Sequence, residues 1–134
     1  MKLEKAAISE IEALQKICKI AYTKNFANHW EENGLAFYLE NQFNTERLIR
    51  EINDPIIGYY FIKKEDRAVG FVKLNFEATL KGFDEKKTCE LEKIYVLPEM
   101  KGHGLGKYAL QQLLEECRKQ QKETLFLCVI DTNH

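Results

Sequence analysis

Apolar residues recur at helical spacing near the start of the chain. Ile11, Leu14, Ile17, Cys18 and Ala21 fall three or four apart, which predicts a helix reaching about Phe26. Ser9 and Glu12 have the spacing of a capping box, so Ser9 is the expected N-cap. Before it, Lys2–Ala7 alternate weakly, as a short first strand would. A polar-aromatic passage from Asn28 to Asn33 follows, then a second helical patch with Leu35, Phe37, Tyr38 and Leu39. A third begins near Asn44 and Thr45, turns Leu48, Ile49 and Ile52 inward, and stops at Asn53-Asp54-Pro55.

The period then changes. Ile56–Lys63 is rich in β-branched and aromatic residues, and Ala68–Ala78 carries Val69, Phe71, Leu74 and Phe76 in partial alternation. With the polar turn Lys64-Glu65-Asp66-Arg67 between them, they predict an antiparallel hairpin. Thr79–Lys87 reads as a loop, Thr88–Leu97 as a strand, Gly104–Gln121 as a long helix and Thr124–Ile130 as a last strand. Strand, helix and strand in succession make a βαβ unit, so the last two strands should be parallel. The fold class is α+β, an α/β sandwich: a mixed sheet with an antiparallel N-terminal hairpin and a C-terminal parallel βαβ unit. No repeat or linker divides the 134 residues, so 1–134 is read as a single domain.

Composition narrows the function. A hydrophobic share of 45% suffices for a core at this length. The net charge of -1 and pI near 6.3 give no broad basic face, so no nucleic-acid partner is expected. The four cysteines form no CxxC and the three histidines do not cluster with them, so no metal site is expected. Buried, reduced thiols fit a cytoplasmic protein. No apolar run approaches the roughly 20 residues of a membrane span, and no membrane partner is expected.

Chemistry concentrates in PEMKGHGLGKYALQQLLEECRK, Pro98 to Lys119, with Gly102, Gly104 and Gly106 at alternate positions. A Walker A loop would need glycine at 101, which is lysine, and Ser or Thr after Lys107, where Tyr108 stands. A dinucleotide fingerprint would need glycine at 107. What remains is a short loop with a basic first place: Lys101-Gly102-His103-Gly104-Leu105-Gly106, followed by Lys107. Small residues there let backbone N–H groups at a helix start converge on one anion, and a pyrophosphate suits that nest.

The run LEKIYVLPEMKGHGLGKYALQQLLE resembles the coenzyme A-binding motif of the GNAT N-acetyltransferase family, and the βααββ order before it agrees. YLENQFNTERLIREI, LEKIYV and KGHGLGK are similar to the spermidine/spermine-acetylating branch. The resemblance implies transfer of acetyl from acetyl-CoA, as co-substrate, to a primary amine. It places the backbone of Ile94, Tyr95 and Val96 along the pantetheine arm, Lys101 to Lys107 on the pyrophosphate, and Asn133 at a coenzyme contact. It puts Glu92 at the position of a catalytic base, with Glu90 on the same face if the strand is regular. Trp30, Tyr38 and Glu90, with Glu31, Glu32, Asp84 and Glu85, are candidates for the acceptor site.

The family pattern continues with a further helix and two strands beyond position 134, and that helix often carries a tyrosine that protonates the leaving thiolate. Tyr95 and Tyr108 are poor substitutes for it. An uncovered Thr124–Ile130 edge predicts a homodimer or exchanged segments. The alternative function is a coenzyme A-binding or dimerising module without turnover.

Overall fold

The computed structural model describes residues 2–26, 31–77, 82, 88–100, 102, 104–122 and 124–127. Its elements are β1 (Lys2–Lys5), α1 (Ile11–Phe26), α2 (Glu32–Phe43), α3 (Thr45–Ile52), β2 (Ile57–Lys64), β3 (Arg67–Asn75), β4 (Thr88–Val96), α4 (Leu105–Lys119) and β5 (Thr124–Leu127). The strands form one sheet in the order β1-β2-β3-β4-β5. The first four pair antiparallel, and β4 and β5 pair in parallel from Thr88↔Thr124 to Leu91↔Leu127. The mixed sheet and its closing βαβ unit agree with the expected fold class.

The start of α1 departs from expectation. Ser9 is no N-cap; it sits inside a short 3-10 turn, Ile8–Glu10, that leads straight into α1. Glu10 does the capping instead, its Oε1 accepting from the Ala7 N–H at 3.0 Å. At α3 the polar side chain falls where expected: Asn44 Oδ1 accepts from the Arg47 N–H at 2.8 Å. The polar passage before Leu35 is shorter than expected, because α2 already begins at Glu32. The β2–β3 hairpin closes tightly, with Lys64 paired to Arg67. Glu65 and Asp66 alone form its loop, at φ of 53° and 62°. Two consecutive positive φ values match the twist of the flanking strands.

The sheet separates two cores. Towards α1, α2 and α3 lie Leu14, Cys18, Tyr22, Phe43, Leu48, Tyr59, Phe61 and Phe71. Towards α4 lie Tyr60, Ile62, Val72, Leu74, Cys89, Leu91, Ala109 and Leu113. Alternation along β2 makes this division, with Tyr59 and Phe61 on one face and Tyr60 and Ile62 on the other. Two bulges interrupt it. Val69 is the extra residue of β3, between the pairs Ile62↔Gly70 and Lys63↔Ala68. Glu92 is the extra residue of β4, between Lys73↔Lys93 and Leu74↔Leu91. At Gly70 the strands are drawn so close that a Cβ would lie 2.5 Å from the Tyr95 carbonyl oxygen. Glycine is therefore required there for β4 to hold its place.

Candidate active site

The bulge in β4 decides which side chains meet. Cys89 and Leu91 face the α4 core, and so do Ile94 and Val96 beyond the bulge, while Tyr95 and Leu97 face the helical trio. A parity change of this kind requires one residue out of step, and it turns the consecutive Glu92 and Lys93 to the same side. Lys93 Nζ donates to Gln42 Oε1 of α2 at 2.9 Å and lies 5.0 Å from the centre of the Phe43 ring. Glu92 Oε2 lies 3.0 Å from Lys73 Nζ. Glu90, an even step before Glu92, pairs with Asn75 of β3.

Behind Glu92 is a buried charge network. Lys73 Nζ donates to Glu51 Oε2 at 2.6 Å, and the Tyr59 hydroxyl donates to Glu51 Oε1 at 2.8 Å. Arg47 Nε adds its charge at 3.5 Å. Burial acts to raise the Glu51 carboxyl, but the Lys73 hydrogen bond and charge, with Tyr59 and Arg47, outweigh it and hold the group below its ordinary value. Lys93 has no such carboxylate partner in its hydrogen bond. Burial, and then the Lys73 charge, bring its ammonium down from 10.5 to about 8. The side chain of Lys73 is 3% exposed and that of Glu92 is 36% exposed, so the network is fixed at its inner end and open to solvent at Glu92.

Aromatic rings wall the same face. Tyr38 stacks on Tyr22 at 4.5 Å, and Tyr95 meets Tyr22, Phe26 and Phe71 at 5.2–5.7 Å. Burial, with Tyr22 next, pushes the Tyr95 phenol up to about 12. A phenol held so high stays protonated at neutral pH.

Gly102 and Gly104 precede α4 at φ of 86° and 73°, a conformation that L side chains rarely adopt. A Cβ at either would meet nothing within 4 Å, so these glycines shape the backbone and do not relieve packing. Gly104 is the N-cap of α4, which has no side-chain cap and no acidic residue in its first turn. Among the described residues, no side chain caps its leading N–H groups, which with the helix dipole favour an anion. Lys107 is exposed in that turn. These residues fit a pyrophosphate. The strand before the loop is tethered from α1: Asn25 Nδ2 donates to the Val96 carbonyl at 2.9 Å, and Lys24 pairs with Glu99 at 3.2 Å.

Of the site residues expected from the sequence, Glu90, Glu92, Ile94, Tyr95 and Val96 lie on β4, Tyr38 on α2, and Gly102, Gly104, Leu105, Gly106 and Lys107 at the entry to α4. Trp30, Lys101, His103, Asn133, Asp84 and Glu85 lie outside the described residues. Among the described residues no group of His, Cys, Asp and Glu could hold a metal ion, and no helix is long and apolar enough to cross a membrane. Sequence reasoning passed over Glu51, Lys73, Lys93 and Asn25. The first three carried a signal: each is a charge at a position where an apolar face or strand run calls for a hydrophobe. Asn25 carried none.

The Acetyltransferase (GNAT) family model matches residues 12–134. The chain belongs to the GNAT family. This GNAT chain is 24% identical over 133 residues to an uncharacterised N-acetyltransferase in the pepI 3′ region of Lactobacillus delbrueckii subsp. lactis, covering 99% of this chain and 77% of that protein. The crystal structure of PaiA N-acetyltransferase from Thermoplasma acidophilum in complex with coenzyme A superposes with a TM-score of 0.80 at 20% identity, over 99% of this chain and 82% of that one. The aminoglycoside N-acetyltransferase AAC(6')-Iy in complex with CoA gives 0.69 at 14%, over 98% and 78%. At those identities the structures show a shared fold. Family and fold together make the chain an acetyl-CoA-dependent N-acetyltransferase.

Proposed function

We propose that this GNAT enzyme moves acetyl from acetyl-CoA to a primary amine of a small polyamine such as spermidine or spermine, with Glu92 as the base. The observation that carries the reading is the bulge, which brings the half-open Glu92 carboxylate out of the strand beside the aromatic wall. An alkyl amine carries a proton below roughly pH 10.4 and cannot attack until it loses it. The Glu92 carboxylate takes that proton directly or through one water. The amine nitrogen then bonds to the acetyl carbon, the carbon–sulfur bond breaks, the thiolate leaves, and the second nitrogen proton passes through solvent to the departing sulfur.

The other roles follow the chain. The backbone of Ile94 to Val96 runs beside the pantetheine arm, Lys101 to Lys107 hold the pyrophosphate, and Asn133 contacts the coenzyme. Trp30, Tyr38 and Glu90 contact the acceptor, and the exposed Glu31 suits a polycation. The coenzyme A complex of the Thermoplasma acidophilum PaiA, which shares the fold, supports the coenzyme. Cytoplasmic residence is part of the proposal, supported by the free, buried Cys18, Cys89 and Cys117. So is homodimerisation through β5, the last strand in the sheet order. A monomer in light scattering at high concentration would contradict the dimer.

The decisive assay follows thiol release from acetyl-CoA in the presence of spermidine, spermine or an aminoglycoside. Release with the polyamines supports the reading. Release with the aminoglycoside alone overturns the acceptor class. A thermal shift with acetyl-CoA, but no release with any amine, overturns turnover by this chain.

A further inference from the structure

The Glu51–Lys73 pair takes no part in the proton transfer described above, yet it occupies the inner end of the same network. Glu92 sits on a bulge, where no ladder partner opposes it and its side chain is open to solvent. A long carboxylate side chain so placed has several rotamers to choose from. Among the described residues, Lys73 Nζ limits that choice, 3.0 Å from Glu92 Oε2. Lys73 is itself held on several sides. Its side chain is buried in β3, opposite Lys93, and its ammonium is 5.7 Å from the centre of the Tyr59 ring. Tyr59 binds one oxygen of Glu51, which leaves the other aimed at Lys73. Three elements, α3, β2 and β3, thus converge to fix one ammonium against the bulged carboxylate.

We infer that Lys73 is a positioning residue: anchored by Glu51 and Tyr59, its ammonium clamps the Glu92 carboxylate in the orientation needed for proton transfer. The inference depends on Glu92 acting as base. With its side chain 3% exposed, Lys73 acts through Glu92. Its removal should slow the chemical step and leave coenzyme binding alone, since a carboxylate displaced by an ångström loses much of its effect.

The test is a double-mutant cycle on kcat with Lys73→Met and Glu92→Gln, with KM for acetyl-CoA measured throughout. Lys73→Met should lower kcat about tenfold or more with KM for acetyl-CoA within about twofold. In the Glu92→Gln background the same change should cost less than about twofold, because there is no carboxylate left to position. An equal factor in both backgrounds, or an unchanged kcat for Lys73→Met, overturns the clamp and leaves the base standing if Glu92→Gln is impaired. A fully active Glu92→Gln overturns the base and the clamp together. Lys73→Met strands the buried Glu51 charge, so Lys73→Met/Glu51→Gln is run beside it. That variant keeps an acceptor for the Tyr59 hydroxyl and leaves no carboxylate buried at position 51. It should show the same kcat loss with a native thermal transition; wild-type kcat in it overturns the clamp.

Discussion

The two faces of one sheet are built on different chemistry. The face under α4 is packed with Tyr60, Ile62, Val72, Leu74, Leu91 and Leu113, and its thiols Cys89 and Cys117 are buried among them. The face under α1, α2 and α3 has as many apolar residues but also buries Glu51, Lys73 and Lys93. Burying three charges against aromatic rings is costly when hydrophobes of similar volume would serve. The polar groups lie behind the one carboxylate that the bulge turns outward, and local departures from the packing rules concentrate where function needs them. The α4 face packs the sheet and presents the glycine loop; on the proposed function, the helical-trio face carries the acid–base chemistry.

Substitutions on the two faces should therefore fail differently. Lys73→Met should be the most damaging to stability, by about 3–5 kcal/mol, because it takes from the buried Glu51 carboxylate the nearer of its two cations and leaves Arg47 at 3.5 Å. Urea unfolding should show that loss, with most of it recovered in Lys73→Met/Glu51→Gln. Leu113→Ala, in the apolar face, should cost about 2–4 kcal/mol by opening a cavity, while kcat measured well below the transition temperature stays near wild type. A parallel loss of kcat there would blur the division between faces.

Lys93→Met should act in the opposite direction. The folded state holds this amine at about 8, against 10.5 for the free group. Between those values the unfolded chain binds more protons, so native stability rises with pH across the window and the burial cost is greatest below it. Removing the charge should stabilise the fold at pH 7 by about 1–3 kcal/mol. That advantage should shrink as pH climbs from 8 towards 10.5, read as thermal transitions of both proteins over the range. The smallest effect belongs to the loop. Lys107→Gln should raise KM for acetyl-CoA about threefold, and added salt should narrow the difference, as for any exposed charge.

Much of this was visible in the sequence. The hairpin, the parallel βαβ ending and the glycine loop follow from period-two runs, a change of period and three alternate glycines, all of them local signals. The bulge at Glu92 was not visible, because a bulge is a mismatch of register between two strands and neither strand contains it alone. Without it, Lys93 would face away from Glu92 and the network would have no shape. Ser9 misled for a related reason: its spacing to Glu12 is that of a cap, but the chain turns two residues earlier and Glu10 reaches the Ala7 N–H first. The inward charges Glu51, Lys73 and Lys93 stood out as violations of apolar pattern, and only the tertiary structure shows that they meet.

The most direct test of the division between faces is Glu92→Gln, assayed for amine acetylation across pH and for acetyl-CoA binding by thermal shift. The account predicts a loss of about 100-fold or more in kcat with the coenzyme-induced shift unchanged, since the loop before α4 is untouched. Equal rates for the two proteins at every pH would contradict it.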